Sequence, residues 1–271
     1  MSVHVGVRGP GHISRVSLWG PGQIGSALKA WFDAADPSTI TLNSGNISAW
    51  ANKGSLGGTA AQGTAANQPA YTAAALNGLP VARFDGTNDG LSTGNVTLGA
   101  TTLTALIVGT RSVTGSYDCM VGQVNGAASG WGMAFASTAL QDWQINDLYC
   151  FGNGFNSAQA PRAIAQTPAA ATNLAPHILR ADLGTTSAVT IDGSAATLRA
   201  SSTAAFTTVT AQPLNIGYTG SVDWLAGDIA EVLVGADLAA ADVLRLEGYL
   251  AWKWGLQGNL PTSHPYKARR P

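Results

Sequence analysis

Hydrolysis of a glycosidic bond needs two carboxylates facing that bond, and this chain has only two glutamates, Glu231 and Glu247. They fall on different predicted elements, a strand and a helix, and no E-x-D-x-E run is present. Glu231 is followed at alternate positions by Leu233 and Gly235, so its own strand face offers no acidic partner. The histidines His4, His12, His177 and His264 show neither metal-ligand spacing nor a nucleophile elbow beside them. A phosphate-cradling G-x-x-x-x-G-K-S/T run is absent. These residues argue against an enzyme. Glu231 is expected to serve structure, its carboxylate satisfied by a backbone or arginine partner.

Binding chemistry has more to work with. DGTNDG, Asp85 to Gly90, offers the oxygens of Asp85, Asn88 and Asp89. They make half of a Ca²⁺ site, or else a tight turn closed by Asx hydrogen bonds. Asp33 and Asp36 invite the same question, and Asp36-Pro37 is turn chemistry. No other cofactor is implied. Aromatic rings stack on sugar faces while amides and carboxylates bond the hydroxyls. The densest such mixture is Trp131, Asp142, Trp143, Gln144, Asn146, Tyr149 and Asn153. These are the candidate glycan or partner contacts, and the alternative is sandwich core plus polar loop tips.

The positioning elements follow from periodicity. Between Ile229 and Val234, apolar residues fill both faces of a strand, interrupted only by Glu231. After Gly235 the period turns helical: Val243, Leu246, Leu250 and Trp254 make one stripe of a helix over 238–254. Gly255 and Gly258 stop it, and Pro261 and Pro265 prevent a restart. Upstream, Thr102–Thr110 is strongly apolar and reads as a central strand, and IDGSA (Ile191–Ala195) reads as a hairpin turn. About a dozen short strands and one late helix predict an all-β sandwich.

Two blocks carry a resemblance. The first is GDIAEVLV with LEGYLAWKWGL and LPTSHPY; the second is AWFDAADPSTIT, QPAY and NGLPVARFDGTNDGL. Over roughly residues 28–267 the chain resembles laminin-G-like, concanavalin A-like jelly-roll domains of tailed-phage structural proteins and large bacterial surface proteins. The resemblance implies a concanavalin A-like jelly-roll β-sandwich with one C-terminal α-helix packed on it, spanning residues 27–271. Ala239 stands where the family often has a helix-capping Ser, a loss of ~1 kcal/mol. Trp31, Trp50, Tyr249, Trp252 and Trp254 fall in the matched frame and are expected in the core or under the helix. The implied function is a non-enzymatic virion structural protein, a capsid decoration, head spike or tail-associated module. A lectin-like adhesin is the alternative and a glycoside hydrolase the third reading.

Composition fits that setting. Charged residues make up 11% of the chain, where about 25% is usual, and such a surface favours association with copies of itself or other virion proteins. A net charge of −1 gives no footprint for nucleic acid, and no apolar run has the length of a membrane span. No signal peptide is read at the N-terminus, so the expectation is assembly in a host cytoplasm and display on the virion surface, with cell-surface polysaccharide as a further partner. Residues 1–26 alternate like strands between GPG turns and read as a docking arm or an edge hairpin. Cys119 and Cys150 could pair across adjacent strands, and under a cytosolic assembly route they are expected instead as free, buried thiols.

Overall fold

The computed structural model describes residues 19–112, 118–125, 129–136, 147–152, 162–165, 175–206 and 210–271. In chain order its strands are β1 (Leu28–Asp33), β2 (Ile40–Asn43), β3 (Asn46–Ala51), β4 (Thr59–Ala61), β5 (Ala70–Leu76), β6 (Leu79–Asp85), β7 (Leu91–Val96), β8 (Leu103–Gly109) and β9 (Asp118–Asn125). Then come β10 (Ser129–Phe135), β11 (Leu148–Phe151), β12 (Arg162–Ala165), β13 (His177–Leu183), β14 (Ala188–Ile191), β15 (Ser194–Ala195), β16 (Leu198–Ser202), β17 (Gln212–Ile216), β18 (Ala226–Ala236) and the helix α1 (Ala240–Lys253). Short hairpins are set by local chemistry. Ser44-Gly45, Asn77-Gly78 and Asp192-Gly193 all have positive φ at both residues, the backbone that a type I′ turn needs.

The pairings define two layers. One runs β14–β13–β8–β18, with β6 and then β1 sharing the far edge of β18 and β5 beyond β6. The other runs β2–β3–β4–β7–β17–β9–β10–β11–β12–β16. Among the described residues a single bridge, Asn46 to Ala70, joins the layers into one continuous antiparallel sheet. Between them lies the main core, where Phe32, Ile107, Val232 and Val234 of the first layer meet Trp50, Val121, Trp131, Met133 and Cys150 of the second. The two thiols lie on opposite faces of one sheet, since Cys119 and Cys150 oppose neighbouring residues, Ala134 and Met133. Both are free and buried. Burial pushes the Cys150 thiol up to about 12 and raises that of Cys119 as well, so both stay protonated.

The central strand is β8, with all seven residues buried, as its apolar run requires. Simple alternation fails on β18. Ile229 opposes Gly109 and Glu231 opposes Val108, so Ala230 is an extra, bulged residue. The bulge puts Ile229 on the core face with Val232 and Val234. Ala230 and Leu233 face outward, where they join Leu28, Val81, Leu106, Val108 and Ile178. Helix α1 covers that outer face with Leu246, Leu250, Ala251 and Trp254. Its N-cap is Ala239, which makes no side-chain cap bond. Its end is closed by Gly255 at φ 73° and by the Leu256 N–H donating to the Ala251 carbonyl at 2.7 Å. Residues 21–27 form a 3₁₀ segment, and Trp19 and Ile24 pack on the helix side of the sandwich. The rest of the expected arm, residues 1–18, lies outside the described residues.

Candidate functional site

The first candidate is a cleft of about 480 Å³ on the outer face of the helix-bearing layer. Its floor includes Leu76 of β5, Val81 of β6 and Ala230 of β18. Polar groups come from Thr110, Ser112, Arg83 and Asp228. Arg83 and Asp228 oppose each other across the β6–β18 pair. Their side chains form a two-pronged ion pair, Nε to Oδ1 at 2.8 Å and Nη2 to Oδ2 at 2.9 Å. The Arg83 side chain is 53% exposed, so the pair adds little to stability. It leaves the Nη1 donors and further carboxylate lone pairs for a solute. Together with two hydroxyl-bearing residues, that suits a ligand rich in hydroxyl groups, each both donor and acceptor.

Sequence reasoning did not find this cleft. Arg83 and Asp228 are 145 positions apart, and nothing local to either announces the other. The residues it did single out are placed differently. Trp131 is 1% exposed and its indole N–H donates to Gln123 at 3.0 Å. Gln123 in turn donates to the Val96 and Gln212 carbonyls. Tyr149 is equally buried, its ring stacked on Phe151. Neither presents a ring to a ligand. Asp142, Trp143, Gln144, Asn146 and Asn153 lie outside the described residues.

The DGTNDG loop closes on itself. Asp85 Oδ1 accepts from the Thr87 and Asn88 N–H groups at 2.8 and 3.2 Å, and Asp89 Oδ2 accepts from the Asp85 N–H at 3.0 Å. Among the described residues no three His, Cys, Asp or Glu side chains converge as a metal site. Burial, reinforced by the Asp85 charge, pushes the Asp89 carboxyl up to about 6. A carboxyl raised in the folded state favours folding most when protonated. That contribution is present below the unfolded value of 3.8 and is lost as pH rises through about 6. Acidification from pH 7 to 4 should therefore stabilise the native chain relative to Asp89→Asn, which keeps the acceptor oxygen without titrating. Denaturant midpoints of both proteins across that range measure it, and parallel pH curves would refute it.

The second polar constellation lies beneath the end of α1. Glu231 is fully buried. It accepts from the Trp31 and Trp254 indoles at 2.7 Å each, from Lys253 Nζ at 2.7 Å and from the Tyr249 hydroxyl at 3.2 Å. The expected backbone or arginine partner is thus replaced by a lysine, two indoles and a phenol, because β1 and the end of the helix supply what faces Glu231. Lys253 also donates to Asp33 Oδ1 at 2.5 Å, and Lys53 bridges Asp33 and Asp36. Burial holds the Glu231 carboxyl above its ordinary value, with Lys253 pulling down and Asp33 pushing up. Glu247, also fully buried, is taken by Arg180, Thr190 and His264. Neither glutamate faces solvent as a hydrolytic carboxylate must. Of the aromatics in the matched frame, Trp50 and Trp254 are fully buried, while Trp31 and Tyr249 pack around the helix. Trp252 donates to the Tyr266 carbonyl at 2.8 Å.

The chain matches no protein-family model and no curated protein. Solved structures do share its architecture. The botulinum neurotoxin serotype D ligand binding domain, in complex with N-acetylneuraminic acid, superposes with a TM-score of 0.55 at 8% identity. The match covers 83% of this chain and 52% of that one. A botulinum neurotoxin type C structure, described as entering cells through two ganglioside molecules, gives 0.55 at 7% identity over 85% and 53%. Trypanosoma rangeli sialidase with the inhibitor DANA gives 0.51 at 11% identity over 86% and 35%. The shared fold is an antiparallel β-sandwich. At such identities the likeness establishes the fold alone, and this chain spans about half the length of the toxin chains it matches.

Proposed function

We propose that this chain is a non-enzymatic recognition module that binds saccharide in the Arg83–Asp228 cleft and serves as a structural component of a tailed-phage particle, as capsid decoration, head spike or tail-associated module. The observation that carries the binding reading is the cleft itself: an apolar floor beside an exposed, bidentate Arg–Asp pair and two hydroxyls. Sugars offer an apolar ring face and hydroxyls that both give and accept, and this arrangement meets each requirement. The glycan-linked proteins of the same fold support the class of ligand, and the burial of both glutamates supports recognition without hydrolysis. The particle setting rests on the resemblance of the two terminal blocks and on the low surface charge.

A glycan array tests the binding, with Arg83→Ala as control. The variant should lose about tenfold or more in signal while its stability moves by no more than ~1 kcal/mol, the range of an exposed ion pair. Unchanged array binding in Arg83→Ala would move the ligand elsewhere, and no binding to any glycan would leave only the structural role. Co-sedimentation with phage particles tests the setting.

A further inference from the structure

We propose that Lys253 and Asp33 are joined by an amide bond that the folded chain makes itself, with Glu231 as the acid–base group. The reacting groups lie on three elements brought together by the fold. Asp33 ends β1, Glu231 opposes it directly across the β1–β18 pair, and Lys253 ends α1. The Lys253 Nζ is 2.5 Å from Asp33 Oδ1 and 2.7 Å from Glu231 Oε2. One carbon–oxygen bond beyond Oδ1 puts the Asp33 Cγ within about 3.7 Å of the amine, the range from which attack proceeds. A lone ion pair needs one carboxylate; here a second, fully buried one touches the same nitrogen.

The surroundings favour condensation. Trp31, Tyr249 and Trp254 surround the group, and the side chains of Asp33, Lys253 and Glu231 are 7%, 18% and 0% exposed. The Trp31 and Trp254 indoles hold both Glu231 oxygens in place. Lys53 Nζ sits 3.1 Å from Asp33 Oδ2 and stabilises negative charge on that oxygen as the carbonyl carbon is attacked. Burial holds the Glu231 carboxyl above its ordinary value, which makes it a better acceptor for the ammonium proton.

The balance is that of a dehydration. The ammonium gives a proton to Glu231, and the free amine attacks Asp33 Cγ. The Nζ–Cγ bond forms and one Cγ–O bond breaks. Nζ keeps one of its three protons, and the departing oxygen takes the other two by way of Glu231 and leaves as water. A cation and an anion become a neutral amide, no oxidant is consumed, and Glu231 returns to its starting state. Removing two partly buried charges and expelling water favours the product. The bond would tie the start of the sandwich to its last helix across 220 positions.

The test is the mass of the purified, folded chain measured after denaturation, followed by a protease map. The expected result is the sequence mass less one water, with a branched peptide joining the segments that contain Asp33 and Lys253. Glu231→Gln and Lys253→Arg should keep the full mass, and any of either variant that folds should melt on the order of 10 °C lower, as when a long loop loses its cross-link. Asp33→Asn should lose ammonia instead and converge on the wild-type mass, since the amide product is the same. A wild-type chain at full sequence mass overturns the proposal, and so does a dehydrated chain whose map lacks the branched peptide.

Discussion

Ending the chain after Asp237 is expected to leave an insoluble or molten protein. The cut spares all of β18 and keeps Asp237, whose carboxylate caps the Thr101 and Thr102 N–H groups. What it removes is the cover over Leu28, Val81, Leu106, Val108, Ile178 and Leu233, an apolar face on the outside of the sheet. A face of that kind drives association once exposed. The cut also takes the Lys253, Tyr249 and Trp254 donors from Glu231, leaving a buried carboxyl group short of partners. Near-UV circular dichroism and the soluble fraction measure the outcome; a soluble chain with a sharp melt would make the helix an appendage. The gentler form of the experiment is Leu250→Ala. That side chain is fully buried under the sheet, so its truncation should cost ~2–5 kcal/mol, whereas a loss below ~0.5 kcal/mol would place it at the surface.

What could be read in advance was what the chain encodes locally. The stripe Val243, Leu246, Leu250 and Trp254 is wholly buried because helical spacing alone puts those residues on one face. The I′ turn at Asp192-Gly193 follows from two residues that tolerate positive φ. β8 announced itself as an apolar run broken only by Thr104, which a strand covered on both faces can bury. The short strands β15 and β16 had no such signature. Register was equally hidden: the bulge at Ala230 exists only because Ile229 and Glu231 meet consecutive residues of β8. The cleft depends on another pairing of that strand, since Arg83 meets Asp228 only once β6 lies against β18. Trp131 misled for a related reason. Its polar chain neighbours suggest a surface, but β10 turns the ring inward, where the indole meets the buried Gln123 directly across the β9–β10 pair.

Glu247→Ala is expected to destabilise the chain by ~3–5 kcal/mol, the cost of breaking a buried ion pair from one side. Glu247 is the point at which the helix, the sheet and the C-terminal segment are tied together. Its Oε1 accepts from Arg180 of β13 at 2.7 Å and from Thr190 of β14 at 3.3 Å. Its Oε2 lies 3.3 Å from His264 Nε2. The tautomer follows from the other ring nitrogen: Nδ1 accepts the Tyr266 N–H at 3.2 Å, so the proton sits on Nε2 and points at the carboxylate. Without the carboxylate, Arg180 keeps Asp182 alone among the described residues, and the His264 N–H, on a side chain 2% exposed, loses its acceptor. His264→Ala removes one donor and leaves the other two, so it should cost less. The double variant should cost less than the sum of the two, because the contact they share can be lost only once. Chemical denaturation of the three variants reads out the cycle. A strictly additive result would mean that His264 and Glu247 stabilise the chain independently, and a Glu247→Ala cost below ~1 kcal/mol would mean that water reaches Arg180 in place of the carboxylate.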